Sequence, residues 1–189
     1  MSTQPIVHLT VEQYLEIERA AEFRSEYIDG QVYAMAGGAV NHALIAMAVG
    51  ARLDEQLRGR PCAVAGSDLR LFCESAKMLT YPDVVVFCKP RRFLDGKKDT
   101  LTDATVIVEV LSPSTQNYDR GEKFRFYRGL PSFSEYLLLE QDAIRAEHYV
   151  RQHDGAWLLR EINGPDSEIA LTSIDCRLNL GSLYESAEL

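Results

Sequence analysis

The spacing of apolar residues predicts a helix at the N-terminus, then a hairpin, a long helix and a series of strands. Thr10 can cap a helix that begins at Val11, where apolar positions recur at helical spacing. Asp29-Gly30 separates two short apolar segments, which predicts a β-hairpin because both residues tolerate positive φ. The Ala- and Leu-rich segment from about Asn41 to Leu57 predicts the long helix. Short apolar runs typical of strands follow: CAVAG, DLRLFC, PDVVVFC, TVIVEVL, SEYLLLE, IRAEHYV and AWLLREI.

Three connecting segments complete the order of elements. DRGEKFRFYRGL predicts a helix capped by Asp119, with Glu122 placed almost as in a capping box. ESAKMLTY predicts a hairpin or loop, and RRFLDGKKDTLTDA an exposed connection. Helices mixed with strands indicate an α/β or α+β fold, in which a mixed central sheet is flanked by helices. A length of 189 residues favours one domain, residues 1–189.

Composition and charge narrow the class of protein. Hydrophobic residues make up 46%, which is enough for a core, and no apolar run is long enough to span a bilayer. The N-terminus lacks a basic region followed by an apolar one, so we expect a cytoplasmic protein without a membrane partner. The net charge of −8 argues against broad, nonspecific attraction to nucleic acid. It does not exclude a nuclease, because a bound cation offsets the charge of a carboxylate-lined site.

The four cysteines give little support to a zinc site. Cys62, Cys73, Cys88 and Cys176 include no C-x-x-C pair. We therefore expect reduced, structural thiols.

Two carboxylates interrupt apolar runs that are typical of buried strands. Glu109 lies in the middle of TVIVEVL, and Asp83 stands at the entrance of VVVFC, 26 residues earlier. A buried carboxylate costs several kcal/mol unless it is paired, protonated or bound to metal. If the two strands are neighbours, both side chains can lie at the same edge of the sheet. The structural alternative is an exposed Asp83 and a Glu109 paired with a buried cation.

Lys123 is the candidate third member of the site. Phe126, Tyr127 and Leu130 follow it at helical spacing and form one apolar stripe, which should face the sheet. Lys123 would begin that buried face, with its ammonium reaching a polar site. Two interpretations remain open: a simple Lys123–Glu109 salt bridge, or an Asp–Glu–Lys constellation that holds a metal and supports a nucleophile.

Several motifs together resemble a known family over nearly the whole chain. They are YPDVVV, VEVLSPST, YDRGEKFRFYRGLPSFSEYLLLE, FRSEYIDGQVYAMAGG and NHALIA. The chain resembles the restriction-endonuclease-like proteins of the PD-(D/E)XK nuclease superfamily. That resemblance implies a core of helix, mixed sheet, helix and strand, and divalent-metal-dependent hydrolysis of phosphodiester bonds.

The resemblance also assigns roles to residues. It makes Asp83 the motif aspartate and Glu109 the motif acid, which would bind Mg²⁺ or Mn²⁺ together with the backbone carbonyl of Val110. The usual lysine would stand two residues after Glu109, where this chain has Leu111. In the family the lysine function has moved to the following helix, which matches Lys123.

Other polar residues have both a functional and a structural interpretation. Glu26, beside the predicted hairpin, could complete the metal site or be an exposed hairpin acid. His42 could approach a phosphate or only pack near the start of the long helix. Asp68 and Arg70 share one face of their predicted strand and could form a local ion pair.

Two functions from different classes follow from these residues. The first is a metal-dependent endonuclease that acts on nucleic acid, with DNA the expected substrate. In it, Lys123 assists the attacking water. The second is an inactive nuclease-fold module that binds or regulates, with a homodimer as the expected assembly.

Overall fold

The computed structural model describes residues 8–35 and 37–189, which form helices packed on two mixed sheets. The helices are α1 (Val11–Ala20), α2 (Val40–Leu57), α3 (Gln116–Tyr118), a π-helical turn (Asp119–Lys123) and α4 (Phe124–Tyr127), with 3₁₀ turns at Glu74–Ala76 and Gly181–Leu183. The strands are β1 (Ser25–Ile28), β2 (Gln31–Ala34), β3 (Cys62–Gly66), β4 (Arg70–Cys73), β5 (Met78–Thr80), β6 (Val84–Cys88), β7 (Thr100–Leu101), β8 (Val106–Leu111), β9 (Glu135–Glu140), β10 (Arg145–Arg151), β11 (Trp157–Asn163), β12 (Glu168–Leu171) and β13 (Cys176–Asn179). None of the helices in these ranges combines the length and apolarity needed to cross a bilayer.

The strands form a six-stranded sheet, a five-stranded sheet and a two-stranded hairpin. The six-stranded order is β11-β10-β9-β8-β6-β3, and only the central β8–β9 pair is parallel. The five-stranded order is β2-β1-β5-β4-β7, with β4–β7 parallel. Strands β12 and β13 pair with each other. The predicted mixed sheet flanked by helices is confirmed.

The predicted N-terminal helix and hairpin are confirmed. Thr10 caps α1 and forms a full capping box with Gln13. The turn between β1 and β2 has positive φ at both Asp29 (41°) and Gly30 (94°), as a two-residue hairpin of this type requires. Helix α1 packs on the five-stranded sheet through Tyr14.

Strand β8 is buried along its whole length and separates two apolar layers. On one face, its even-numbered residues pack with the buried side of α2; the members include Val106, Val108, Val110, Ile45, Val49 and Leu53. On the other face, its odd-numbered residues meet the chain after β8; the members include Ile107, Leu111, Tyr127, Phe133 and Tyr136. Glu109 lies on this second face. The strand alternation therefore points its carboxylate toward residues 116–127.

The helix after β8 begins earlier than predicted, so the proposed cap at Asp119 is wrong. Residues 116–127 are helical throughout, and Asp119 is buried inside the π-helical turn. The preceding turn starts the helix because the backbone N–H of Gln116 donates to the Ser112 carbonyl, while the Thr115 N–H donates to the Ser112 hydroxyl. This continuous segment is called the lysine helix below.

The expectation of four reduced thiols is wrong for two of them. Cys62 and Cys88 form a disulfide that joins β3 to β6. The register places them directly opposite each other, a proximity that their separation in the sequence did not reveal. Cys73 and Cys176 are free and buried.

Two further local expectations are corrected. Asp68 and Arg70 do not pair: Asp68 binds Arg24, and Arg70 binds Asp99 at 2.5 Å. The segment predicted as an exposed connection includes β7, whose residues are buried because they pair with β4.

Candidate active site

The pairing of β6 with β8 places Asp83 beside Glu109. The two strands are antiparallel and Val84 lies opposite Val108. Asp83, which precedes Val84, therefore lies beside Glu109, which follows Val108. The Asp83 N–H donates to Glu109 Oε2 at 3.3 Å. In return, the Val110 N–H donates to Asp83 Oδ2 at 2.7 Å. The structure thus brings the two sequence-predicted acids together at the start of β6.

Glu109 is buried but fully engaged by neighbouring donors. Only 3% of the residue is exposed. Its Oε1 accepts hydrogen bonds from Lys123 Nζ at 2.9 Å and from the Tyr127 hydroxyl at 2.7 Å. These contacts supply the compensation that a carboxylate requires in a strand covered on both faces.

Lys123 lies at the centre of a group of carboxylates. Its ammonium is 3.5 Å from Glu26 Oε1 and 3.6 Å from Asp119 Oδ1, in addition to the contact with Glu109. Lys123 is itself buried, and the stripe that follows it packs inward through Tyr127 and Leu130. We call Glu26, Asp83, Glu109, Asp119 and Lys123 the carboxylate–lysine cluster.

Glu26 is not an exposed hairpin acid. Its side chain is 13% exposed and accepts a hydrogen bond from the Thr80 hydroxyl. Strand β1 pairs with β5, and this pairing turns Glu26 toward Lys123. The five-stranded sheet therefore contributes a carboxylate to a cluster whose other acids come from β6, β8 and the lysine helix.

The cluster contains more negative charge than its own cations balance. Four carboxylates face one ammonium, which leaves three negative charges when all are ionised. Burial, followed by the charges of Asp83 and Asp119, raises the pKa of Glu109 to about 8 against the opposing effect of Lys123. Burial alone would lower the pKa of Lys123, but Glu109, Glu26 and Asp119 outweigh it and hold that pKa well above its usual range. Lys123 therefore remains charged.

His42 approaches the same cluster from α2. Its Nε2 lies 3.1 Å from Asp83 Oδ2. The hydrogen bond with Asp83 raises the pKa of His42, although burial opposes it. His42 is thus a polar neighbour of the motif aspartate rather than a packing residue alone.

The cluster lines an open cleft of about 460 Å³. Ser112, Ser114 and Thr115, from the turn before the lysine helix, form part of its wall. A second cleft of about 790 Å³ adjoins it, and both are lined by His42 and Asp83. The acids are therefore accessible to a ligand that enters from the surface.

The donor atoms at this cleft suit a hard divalent cation. Carboxylate and carbonyl oxygens are the ligands that Mg²⁺ and Mn²⁺ prefer. Asp83 Oδ1 accepts no hydrogen bond from the described residues. The carbonyl of Val110 faces the Asp83 side of β8, because the N–H and C=O of a strand residue point the same way.

The described residues contain no group of three or more His, Cys, Asp or Glu side chains already arranged around a metal position. Lys123 lies between Glu26, Glu109 and Asp119. The case for a divalent cation therefore rests on the oxygen donors and the excess negative charge.

Sequence reasoning missed two members of the site. The sequence presents Asp119 as a helix cap and Tyr127 only as part of an apolar stripe. Their spacing could have identified them, because residues four before and four after Lys123 lie on the same face of a helix.

Comparisons with known proteins show the family and the fold of the chain. The model of the family Uma2, described as "Putative restriction endonuclease", matches residues 11–180. Two uncharacterized proteins of Synechocystis sp., slr1290 and sll1609, are each 36% identical to the chain. The first match covers 95% of this chain and 93% of the relative, and the second covers 85% and 91%. A crystal structure of a "putative nuclease belonging to DUF820" from Anabaena variabilis has the same fold. Its TM-score is 0.75 at 18% identity, over 93% of this chain and 97% of that one.

Proposed function

The chain belongs to the Uma2 family of restriction-endonuclease-like proteins, and from this premise we propose that it is a divalent-metal-dependent endonuclease acting on DNA. Asp83 and Glu109 would hold Mg²⁺ or Mn²⁺, with the Val110 carbonyl as a third ligand. Lys123 would assist the attacking water.

One observation carries this proposal: several carboxylates from different elements converge on one buried lysine at the floor of an open cleft. Lys123 has Glu109, Glu26 and Asp119 within 3.6 Å, so these acids carry more negative charge than the one ammonium can neutralise when all three are ionised. A site with such excess negative charge and an oxygen-only donor set supports binding of a divalent cation.

The residues of the chain would divide the work of hydrolysis. The site would gain Lewis-acid chemistry from a bound cation, which would lower the pKa of a water and offset charge on the phosphate. Asp83 and Glu109 would hold the cation, and the Val110 N–H and His42 orient Asp83. The Lys123 ammonium offers hydrogen bonds to the attacking water and to the charge that builds on the phosphate oxygens.

Replacing either acid by its amide tests the proposal. We expect Asp83→Asn and Glu109→Gln to reduce Mn²⁺-dependent cleavage of DNA by at least about 100-fold, because each removes a charged metal ligand. Cleavage is followed on supercoiled plasmid and on a labelled duplex. Calorimetric titration should show one Mn²⁺ site in the parent that Glu109→Gln lacks.

The matched control is Glu55→Gln, since Glu55 is an exposed acid on α2 away from the cleft. This variant should cut like the parent. Parental cleavage rates in both cluster variants would contradict the proposal.

The second candidate, an inactive nuclease-fold module, is favoured by the ion pairs that Lys123 already forms with the acids. An absence of Mn²⁺ binding at millimolar concentration would support it, and so would a folded parent that cuts neither DNA nor RNA. A homodimer belongs to this candidate, and sedimentation velocity of the parent tests it.

A further inference from the structure

An exposed loop between β6 and β7 concentrates positive charge on an otherwise acidic protein. The loop, residues 89–98, contains five of the 20 Lys and Arg residues of the chain, whose net charge is −8. All five are exposed: Lys89, Arg91, Arg92, Lys97 and Lys98. We call this segment the basic loop.

The acids next to these cations do not neutralise them. Asp95 and Asp99 both bind Arg19 of α1, at 2.7 Å each, and Asp99 also binds Arg70. Within residues 8–35 and 37–189, no carboxylate forms a salt bridge with any of the five cations of the basic loop. Its positive charge is therefore available to a partner.

The basic loop is held in one shape before any partner binds. The Leu94 N–H donates to the Thr100 carbonyl at 2.9 Å, and the Thr102 N–H donates to the Arg92 carbonyl at 3.1 Å. The side chain of Asp95 also accepts a hydrogen bond from the Lys97 N–H at 2.9 Å. Binding a partner would therefore cost little ordering entropy in the backbone of this loop.

A chain of contacts connects the basic loop to the cleft. Arg70, which binds Asp99, also donates to the Tyr81 hydroxyl at 3.2 Å, and Tyr81 lines the cleft beside Asp83. Along β6, the six residue-to-residue steps from Asp83 to Lys89 rise about 20 Å. That distance corresponds to about six base pairs of duplex at about 3.4 Å each.

We infer that the basic loop binds the phosphate backbone of the nucleic acid substrate at a distance from the scissile bond. The inference rests on the proposed function and extends it to substrate recognition. The carboxylate-rich cleft repels phosphates until a cation is bound, so attraction must come from elsewhere on the protein. The basic loop supplies it without reading sequence, because contacts to phosphates position a duplex and contacts to bases specify it.

A nucleic acid fits this surface better than a membrane does. The two large apolar side chains of the loop, Phe93 and Leu94, are half-buried and pack inward on separate core clusters. An interfacial membrane segment would instead present such side chains to the lipid.

The test compares two variants with the same net charge. Loop variant Arg91→Gln/Arg92→Gln/Lys97→Gln/Lys98→Gln neutralises the surface. Its matched control, Arg58→Gln/Arg125→Gln/Arg128→Gln/Arg160→Gln, removes four exposed charges elsewhere. Fluorescence anisotropy measures the binding of a 20-base-pair duplex without divalent metal, over a range of salt concentrations.

We expect the loop variant to bind the duplex about tenfold more weakly or worse at 0.1 M salt. The slope of log K against log salt should fall by about 0.9 for each phosphate that the loop no longer neutralises. The control variant should retain parental affinity and slope.

Equal affinity and slope for the two variants would overturn the inference, as would a parent that binds no nucleic acid. Loop-dependent binding to vesicles containing phosphatidylserine, with unchanged duplex binding, would overturn it in favour of a lipid surface. Failure of the proposed function is separate, because a parent that binds duplex through the loop but never cuts it contradicts only catalysis.

Discussion

At the scale of single residues, the cation that pairs with Glu109 comes from a helix, while the strand that carries Glu109 stays apolar. The second residue after Glu109 is Leu111, which packs in the second apolar layer. The ammonium comes instead from the lysine helix and still reaches Glu109 at 2.9 Å. The acid thus keeps its cation, while β8 gains an apolar side chain on a face that is buried.

Lys123→Met should destabilise the fold strongly, because it leaves the buried Glu109 and Asp119 and the half-buried Glu26 without their shared cation. We expect a loss of about 3–5 kcal/mol in the free energy of unfolding at pH 8, measured in urea. The loss should grow as the pH rises through about 8, the pKa of Glu109, since a protonated Glu109 needs no partner and an ionised one does.

The conservative variant Lys123→Arg keeps the positive charge and should therefore recover most of the stability that Lys123→Met loses. Lys77→Met is the control, because Lys77 is an exposed lysine whose salt bridge is to an exposed Asp29. If Lys123→Met unfolds at the same urea concentration as this control, the ammonium does not stabilise the cluster.

At the scale of elements, the sequence predicted best where a local rule decides the structure. The capping box of Thr10, the Asp29-Gly30 turn and the apolar runs of β6 and β8 each follow from side-chain chemistry within a few residues. The meeting of Asp83 and Glu109 was also within reach, because unalternating apolar strands are central and lie near one another.

Features set by tertiary contacts were beyond these rules. Asp119 resembles a cap in sequence, but hydrogen bonds from the N–H groups of Thr115 and Gln116 to Ser112 start the helix before it. The Cys62–Cys88 bridge depends on the register of β3 with β6. The β12–β13 hairpin lies in a segment of mixed polarity, and it forms because its buried side chains, Ile169 and Leu178 among them, pack on the α2 layer.

The C-terminal segment depends on a close approach at Gly181, which a pair of glycine variants tests. A Cβ at Gly181 would lie 2.6 Å from the backbone oxygen of Pro165, whereas a Cβ at Gly121 would meet nothing within 4 Å. We expect Gly181→Ala to cost about 1–3 kcal/mol, since backbone atoms cannot rotate away. Gly121→Ala should be neutral or stabilise by up to about 1 kcal/mol, because alanine favours helix.

Urea unfolding of both variants at neutral pH gives the comparison. An unchanged unfolding midpoint for Gly181→Ala would show that the segment after β13 moves freely away from Pro165.

At the scale of the whole molecule, a charged network fastens α1 and the basic loop to the five-stranded sheet. Asp99 is its centre, since it accepts hydrogen bonds from Arg19 on α1 and from Arg70 on β4. Arg70 in turn contacts Tyr81, and the Tyr81 hydroxyl donates to Glu18 of α1 at 2.8 Å. Parts of the chain far apart in sequence thereby share one network beside the cleft.

This network predicts an acid-sensitive contribution to stability. Hydrogen bonding to Arg19, with the charge of Arg70, lowers the pKa of Asp99 from 3.8 to about 2. A carboxyl with a depressed native pKa stabilises the fold above its unfolded pKa, and this stabilisation is lost as the pH falls from about 4 to about 2. Because the side chain of Asp99 is 34% exposed, screening reduces the effect to about 1 kcal/mol.

Asp99→Asn should therefore be less stable than the parent at pH 7 and should lose less stability between pH 5 and pH 2. Asp166→Asn, at an exposed acid, is the control and should follow the parent at each pH. If the free energy of unfolding falls equally between pH 5 and pH 2 in Asp99→Asn and in the parent, the network is not a source of acid sensitivity.

In the sequence, the basic loop lies between the residues of the candidate site. A cut at Gly96, where a side chain would meet open space, leaves Glu26 and Asp83 on one fragment and Glu109 and Lys123 on the other. Neither fragment carries both Asp83 and Glu109, and the β6–β8 and β4–β7 pairings join the two fragments. Under the proposed function, DNA cleavage by the divided chain would therefore require both fragments to be present and paired with each other.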